Sequence, residues 1–152
     1  MIDKSLSGKV IAEFDFPIVA SKVKEFALAL KNPDPAYTDE EHAKSEGYPS
    51  TLMPVTFPVT FPFHIKMQDA VMDTMKLLGM NEKTSVHGEV TFEYSRPIFS
   101  HEILKATMKV GNIFEKKQSK GGTMTLVEIV FEYIDESNEN VATVTNLFIE
   151  KS

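Results

Sequence analysis

The second half of the chain alternates apolar and polar residues with a period of two, and this pattern restricts it to β-strands. The alternating segments are 90–94, 104–114, 123–134 and 141–149. Turn-forming residues separate the last three segments at Lys120-Gly121-Gly122 and at Asp135-Glu136-Ser137-Asn138. We therefore expect four consecutive strands of an antiparallel sheet, joined by hairpin-like turns.

The first half begins with a short strand at residues 10–14, which Pro17 ends, and then changes to helical spacing. One helical face consists of four apolar residues at i, i+3, i+4 and i+7, namely Val23, Phe26, Ala27 and Leu30. Pro33 and Pro35 end this helix, because a proline disfavours the helical region for the residue before it. Thr38 and Glu41 then have the spacing of a capping box. This pattern predicts a short helix that closes at Gly47.

A proline-rich segment follows, with a direct repeat in which Val55-Thr56-Phe57-Pro58 precedes Val59-Thr60-Phe61-Pro62. Each proline removes a donor that a central strand would need. The segment is therefore predicted to be irregular or broken-helical and packed against the core. The next helix is predicted from four apolar residues at helical spacing, Met67, Val71, Met75 and Leu78. One strand, several helices and then four strands indicate an α+β protein with helices on one face of the sheet.

Composition narrows the function classes. A chain of 152 residues is predicted to be one domain spanning 1–152. The net charge of −6 argues against nucleic-acid binding, and no apolar run is long enough to span a membrane. The amino-terminal residues lack the apolar core of a signal peptide, so a cytoplasmic location is expected. The chain has no cysteine, and its four histidines lack metal-type spacing with acidic residues, so no metal is predicted.

Several segments together resemble one known family, the MaoC-like dehydratases with a hot-dog fold. The segments are Asn32 to Asp39, Glu41-His42-Ala43, Gly47-Tyr48, Pro54 to Phe57, His87 to Pro97 and the Gly121-Gly122 turn. The chain is most similar to the N-terminal-type domain, which also occurs as the non-catalytic subunit of (3R)-hydroxyacyl-carrier-protein dehydratases. The resemblance implies an antiparallel sheet wrapped around a central helix and edge-to-edge pairing into a dimer. It also implies acyl thioester substrates, of coenzyme A or acyl carrier protein, and no metal or redox cofactor.

The catalytic motif of that family, Gly-Asp-x-Asn-Pro-x-His, is altered here at both catalytic positions. Lys31 falls on the Gly, Asn32 on the Asp, Asp34 on the Asn, Pro35 on the Pro and Tyr37 on the His. An Asn cannot take a proton near neutral pH, and a Tyr with an ordinary pKa near 10 is a poor base there. The resemblance therefore implies a non-catalytic subunit that shapes the acyl tunnel and forms a heterodimer with a catalytic hot-dog chain, or else a homodimer.

Two other functions remain open. In the first, Asp34 replaces the missing base, together with His42 or His87, and the chain is a self-sufficient enoyl-thioester hydratase. An Asp between two prolines is also a common turn-former, which is the simpler interpretation. In the second, the chain is a hot-dog thioesterase that uses Gln68 or Asp69 near the central helix.

The resemblance also suggests substrate-binding residues, namely Pro54, Thr56, Phe57, His87 and Gly88. The alternation itself places His87 on the polar face of its strand, with Glu89 and Thr91. An apolar cluster of Phe57, Phe61, Phe63 and Met67 is expected in the core, with part of it lining an acyl tunnel. Three lysines near a turn, Lys116, Lys117 and Lys120, form either a solvated loop or a phosphate contact. His64 and His101 are not connected to a site.

Overall fold

The sheet has five antiparallel strands in the order β1-β3-β4-β5-β2 in this computed structural model, which describes residues 2–67, 70–117 and 121–151. The strands are β1 (Val10–Pro17), β2 (Ser85–Tyr94), β3 (Ile103–Lys117), β4 (Thr123–Ile134) and β5 (Asn140–Lys151). The α-helices are α1 (Ala20–Ala29), α2 (Glu40–Ser45) and α3 (Ala70–Leu78). Short 3₁₀ helices span Lys4–Leu6, Pro35–Tyr37 and Phe57–Phe63.

The buried face of the sheet follows the alternation in the sequence. Leu104, Ala106, Met108 and Val110 of β3 are all at most 2% exposed. Val127, Ile129, Phe131 and Tyr133 of β4 are at most 1% exposed. These side chains form one core with residues of α1, α3 and the 3₁₀ helix Phe57–Phe63. The predicted inner faces of the two long strands are therefore confirmed.

The position of β2 differs from the expected run of four hairpin-connected strands. The β3–β4 and β4–β5 pairs are hairpins, but β2 lies at the opposite edge of the sheet, paired with β5. The chain after β2 pairs instead with residues 51–53, through Met53 N–H to Ile98 O (2.9 Å) and Ser100 N–H to Thr51 O (2.9 Å). Because the segment between β2 and β3 is held against residues 51–53, the chain crosses the sheet before β3 pairs with β1.

Helix α1 ends earlier than its apolar pattern suggests. Val23 and Ala27 are fully buried, but Leu30 lies beyond the helix and is 53% exposed, so its predicted place on the buried face is wrong. The backbone turns at Lys31, whose φ of 56° is in the left-handed region. The Asn32 N–H then donates to Ala27 O at 3.1 Å, which completes the reversal. The helix therefore ends one residue before Leu30, the last residue of the predicted face.

Helix α2 is capped by Asp39 and not by Thr38. The Asp39 carboxylate accepts hydrogen bonds from the backbone N–H groups of Glu41 (3.0 Å) and His42 (3.1 Å). Thr38 instead ends the preceding 3₁₀ helix, where its N–H donates to Pro35 O at 3.0 Å. Gly47 has a φ of 91°, as expected for the residue that ends the helix.

The proline-rich segment contains the 3₁₀ helix Phe57–Phe63, in agreement with the expectation of a broken-helical segment packed on the core. Phe57 is 2% exposed and contacts the rings of Phe16 and Phe26. Phe61 is half-buried against Phe131, but Phe63 is 88% exposed, so its predicted core position is wrong. Six residues of 3₁₀ helix rise about 12 Å, which carries Phe63 away from the Phe16–Phe26 cluster.

Tyr94 fastens the proline-rich segment to β2. Its hydroxyl donates to Val55 O at 2.6 Å, and burial raises its pKa, so the hydroxyl remains protonated. We expect Tyr94→Phe to lower the free energy of unfolding by about 1 kcal/mol, because the Val55 carbonyl loses its donor. Urea denaturation measures this. Tyr48→Phe is the matched control, since no hydrogen bond of the Tyr48 hydroxyl is found among the described residues. Equal effects of both substitutions would contradict the role of Tyr94.

Candidate functional site

The segment with the altered motif is built from side chains that bond to their own backbone. Asn32 Oδ1 accepts from the Asp34 N–H at 3.1 Å, and Asp34 Oδ1 accepts from the Ala36 N–H at 2.9 Å. Asp34 thereby caps the 3₁₀ helix Pro35–Tyr37. Such local bonds are the usual role of Asn and Asp in turns. Both side chains therefore stabilise the loop conformation.

Tyr37 lines a groove of about 490 Å³ beside β2. Tyr48 and Tyr94 also line it, as do apolar side chains and Arg96. Arg96 donates to Glu102 at 2.7 Å and to Asp135 at 3.0 Å, so its guanidinium is committed to two carboxylates. The described residues that line the groove include no carboxylate and no histidine. The groove can hold an aromatic or apolar group, but those residues offer no base for a water molecule.

A second site is an apolar cavity of about 290 Å³ between the sheet and the helices above it. Its roof consists of residues from the 3₁₀ helix Phe57–Phe63 and from α3, and its floor is the inner face of the sheet. Of the described residues that line it, only Thr74, His87 and Asn146 are polar. A largely apolar cavity with few polar groups is the usual form of a binding site for a small apolar ligand.

His87 reaches this cavity because of a bulge in β2. The register between β2 and β5 shifts between His87 and Glu89, so that His87 lies opposite Phe148 and Glu89 lies opposite Leu147. The extra residue is Gly88, and it turns His87 from the face of Glu89 to the opposite face. The prediction that His87 shares a face with Glu89 and Thr91 is therefore wrong. Its ring lies 5.1 Å from that of Phe148.

Gly88 is suited to the bulge by its lack of a side chain. A Cβ at this position would lie 2.7 Å from Ile149 Cδ1 and 3.4 Å from Leu147 O. A larger residue would therefore displace Ile149 on the neighbouring strand. Gly88 shapes the strand that presents His87 and does not itself line the cavity.

Asn146 is a site residue that the sequence reasoning missed. It lies on the inner face of β5 between Val144 and Phe148, opposite Ile129 on one side and Val90 on the other. The pattern Val144-x-Asn146-x-Phe148 contains the signal, because it places one polar residue at an inward position of an otherwise apolar strand face.

The predicted substrate-binding residues do not form a single site. Pro54 is buried, Thr56 is half-buried, and neither lines the groove or the cavity. Phe57 belongs to the core. His87 lines the cavity, and Gly88 forms the adjoining bulge. Of the predicted set, His87 lines the cavity, and Gly88 only forms the bulge that presents it.

The structure does not pair Asp34 with either of the histidines proposed to assist it. His42 Nε2 contacts Glu46 at 3.1 Å, and His87 stacks on Phe148. Gln68, Asp69 and Lys120 lie outside the described residues. Lys116 and Lys117 are exposed at the end of β3. His101 lies 3.8 Å from Glu40, and His64 packs on Phe16, where burial lowers its pKa.

Among residues 2–67, 70–117 and 121–151, no group of three or more histidine, aspartate or glutamate side chains has an arrangement that could hold a metal ion. No helix in that part of the chain is both long enough and apolar enough to cross a membrane.

A five-stranded antiparallel sheet in this order, with a helix packed on one face, defines an α+β protein of the hot-dog class. Residues 5–144 match the family described as FAS1-like, dehydratase domain region. The chain belongs to this family. The resemblance to MaoC-like dehydratases with a hot-dog fold is thereby confirmed.

Known proteins agree with this assignment. A UPF0336 protein of Streptomyces avermitilis is 31% identical over 152 residues, covering 99% of this chain and 96% of that protein. Among solved structures, the C-terminally truncated HadBC (3R-hydroxyacyl-ACP dehydratase) complex from Mycobacterium tuberculosis has a TM-score of 0.69 at 18% identity, covering 94% of this chain and 96% of that one. A MaoC-like dehydratase has a TM-score of 0.74 at 20% identity, covering 97% of this chain and 42% of that one. At these identities the two structures establish the fold alone.

The capping role of Asp34 can be separated from a catalytic role. We expect Asp34→Ala to lower the free energy of unfolding by about 1 kcal/mol, because the Ala36 N–H loses its acceptor. Asp34→Asn is the matched control, since it keeps an acceptor at the same position and removes only the charge. Urea denaturation of the two variants measures the difference. If Asp34→Asn is as destabilised as Asp34→Ala, the hydrogen bond to Ala36 is not what the residue contributes.

Proposed function

We propose that this chain is a non-catalytic, acyl-thioester-binding subunit of a (3R)-hydroxyacyl dehydratase in fatty-acid metabolism. In this proposal a partner hot-dog chain supplies the Asp and His of the active site. The observation that carries the proposal is the altered motif, in which Asn32 and Tyr37 occupy the two catalytic positions and the Asn32 oxygen is bonded to the Asp34 N–H.

The reaction explains why those two positions matter. Hydration of an enoyl thioester needs a base that deprotonates water and an acid that protonates the α-carbon. Positioned acid–base groups contribute about a hundredfold to ten-thousandfold to such a rate. Asn32 has no titratable group, and the described lining of the groove beside Tyr37 adds no carboxylate or histidine. A chain without either group needs another source of proton transfer.

The sheet offers a place for the partner. Strand β2 pairs with β5 on one side only, so its other edge is open within the described residues. An open edge can bind a strand of a second chain. His87, which lines the apolar cavity, lies on this edge strand. A partner seated along β2 would bring its own Asp and His close to a chain held in this cavity. The HadBC structure is that of a complex, which is consistent with a subunit role.

Crotonyl-coenzyme A hydration tests the proposal directly. We expect the purified chain alone to hydrate crotonyl-coenzyme A at least about a hundredfold more slowly than its complex with a hot-dog partner that carries an intact Asp-x-Asn-Pro-x-His motif. The measurements are loss of enoyl absorbance and size-exclusion chromatography after co-expression.

The control for this experiment is the same complex with the partner's motif His replaced by Ala. It should form normally and lose activity, because the proton-transfer group would be missing from the complex. A stable homodimer of this chain with full hydratase activity would refute the subunit role.

A further inference from the structure

The register of the sheet orients the apolar cavity. At its inner end lie Met108, Phe131 and Val144, which are opposite one another on β3, β4 and β5 and at most 3% exposed. At its outer end lies His87, an exposed residue on the edge strand. The cavity therefore has a buried, apolar end under the centre of the sheet and reaches an exposed polar residue at the β2 edge.

Two of the three polar groups, His87 and Asn146, lie on β2 and on the neighbouring strand β5. Thr74 is satisfied, because its hydroxyl donates to Ala70 O at 2.6 Å. The Asn146 side chain is half-buried on the cavity floor, and no hydrogen bond to it is found among the described residues. A polar side chain in an apolar cavity costs free energy unless it is hydrogen-bonded. Asn146 and His87 lie on adjacent strands, diagonally opposed, so their Cα atoms are about 8 Å apart.

We propose that this cavity binds one unbranched acyl chain of about eight to ten carbons, with its carbonyl head held by Asn146 and His87 and its tail against Met108. The inference rests on the proposed function for the thioester nature of the ligand. It adds the chain length, the direction of insertion and the residue that recognises the head.

Two independent measures give the chain length. The volume of about 290 Å³ holds about ten groups of methylene size, if each takes about the 30 Å³ of a water molecule. Met108 lies two strands and two residues away from Asn146 in the sheet. Strand spacings convert this offset to about 12 Å. An extended chain advances about 1.2 Å per bond, so about ten bonds span that distance.

Calorimetric titration with saturated acyl-coenzyme A esters of four to sixteen carbons tests the proposal on the intact chain. We expect the dissociation constant to fall about fourfold per added methylene up to about ten carbons and then to level or rise. Coenzyme A without an acyl group should bind far more weakly. A parallel series of free fatty acids shows whether the thioester itself is needed. A flat response to chain length in both series would overturn the proposal.

Two substitutions separate the head from the tail. Asn146→Leu should weaken binding of every chain by about fivefold and leave the dependence on length unchanged, because it removes one hydrogen bond. Met108→Ala should raise the chain length at which the dissociation constant stops falling by two or three carbons. Leu104→Ala is the matched control, since Leu104 is also buried on the inner face of β3, at 1% exposure, but lines neither the cavity nor the groove. If Met108→Ala leaves that chain length unchanged, the assigned direction of insertion is overturned.

This experiment is independent of the partner. Failure of the isolated chain to bind any acyl chain would remove the cavity from the proposal and leave the subunit role to the co-expression test. Binding of acyl chains without activity in any complex would support the cavity and contradict the subunit role. If Met108→Ala does not fold, the length series on the unmodified chain and on Asn146→Leu decides the outcome.

Discussion

The structure depends on the inner face of β4, a strand with a neighbour on each side. Its alternating apolar side chains are almost completely buried. The inward-facing residues of β3 and β5 lie opposite them in the sheet. The helices and the proline-rich segment pack on this face. Because β4 and its neighbours are fixed by burial, the flanking elements can change their chemistry without loss of the fold. The motif after α1 is such a place under the proposed function, since Asp34 caps a 3₁₀ helix while Asn32 and Tyr37 occupy the positions of the family's acid–base pair.

The two candidate sites differ in how their polar atoms are used. The segment from Asn32 to Tyr37 uses its polar atoms to hold a turn. The cavity under β5 retains an apolar lining and a polar rim. Under the proposed function, the replaced acid–base pair and the binding cavity are therefore separate parts of the molecule. A subunit that binds the substrate while its partner performs the reaction is consistent with this separation.

Much of the fold could be predicted from the sequence, because burial on one side of a strand leaves a period-two pattern. The pattern identified β3, β4 and β5 and their inner residues, and the prolines identified the irregular segment. The pattern could not show that β2 lies at the edge of the sheet opposite β1. That position depends on hydrogen bonds between residues 51–53 and 98–100. For the site, the resemblance located Asn32 and Tyr37, but the alternation placed His87 on the wrong face. One unpaired residue, Gly88, reverses the parity of every position before it, and a pattern of residue types does not reveal where strands lose register.

The bulge at Gly88 also has a consequence for how such a chain can change over generations. In a regular strand, a new side chain reaches the cavity only by substitution at a position that already faces it. Insertion or deletion of one residue at the start of β2 instead exchanges the outward and inward positions of a few residues, while the paired segment from Val90 to Tyr94 remains unchanged. The β2 edge of the cavity is therefore a place where a single-residue length change can replace the side chain that lines it, at little cost to the core.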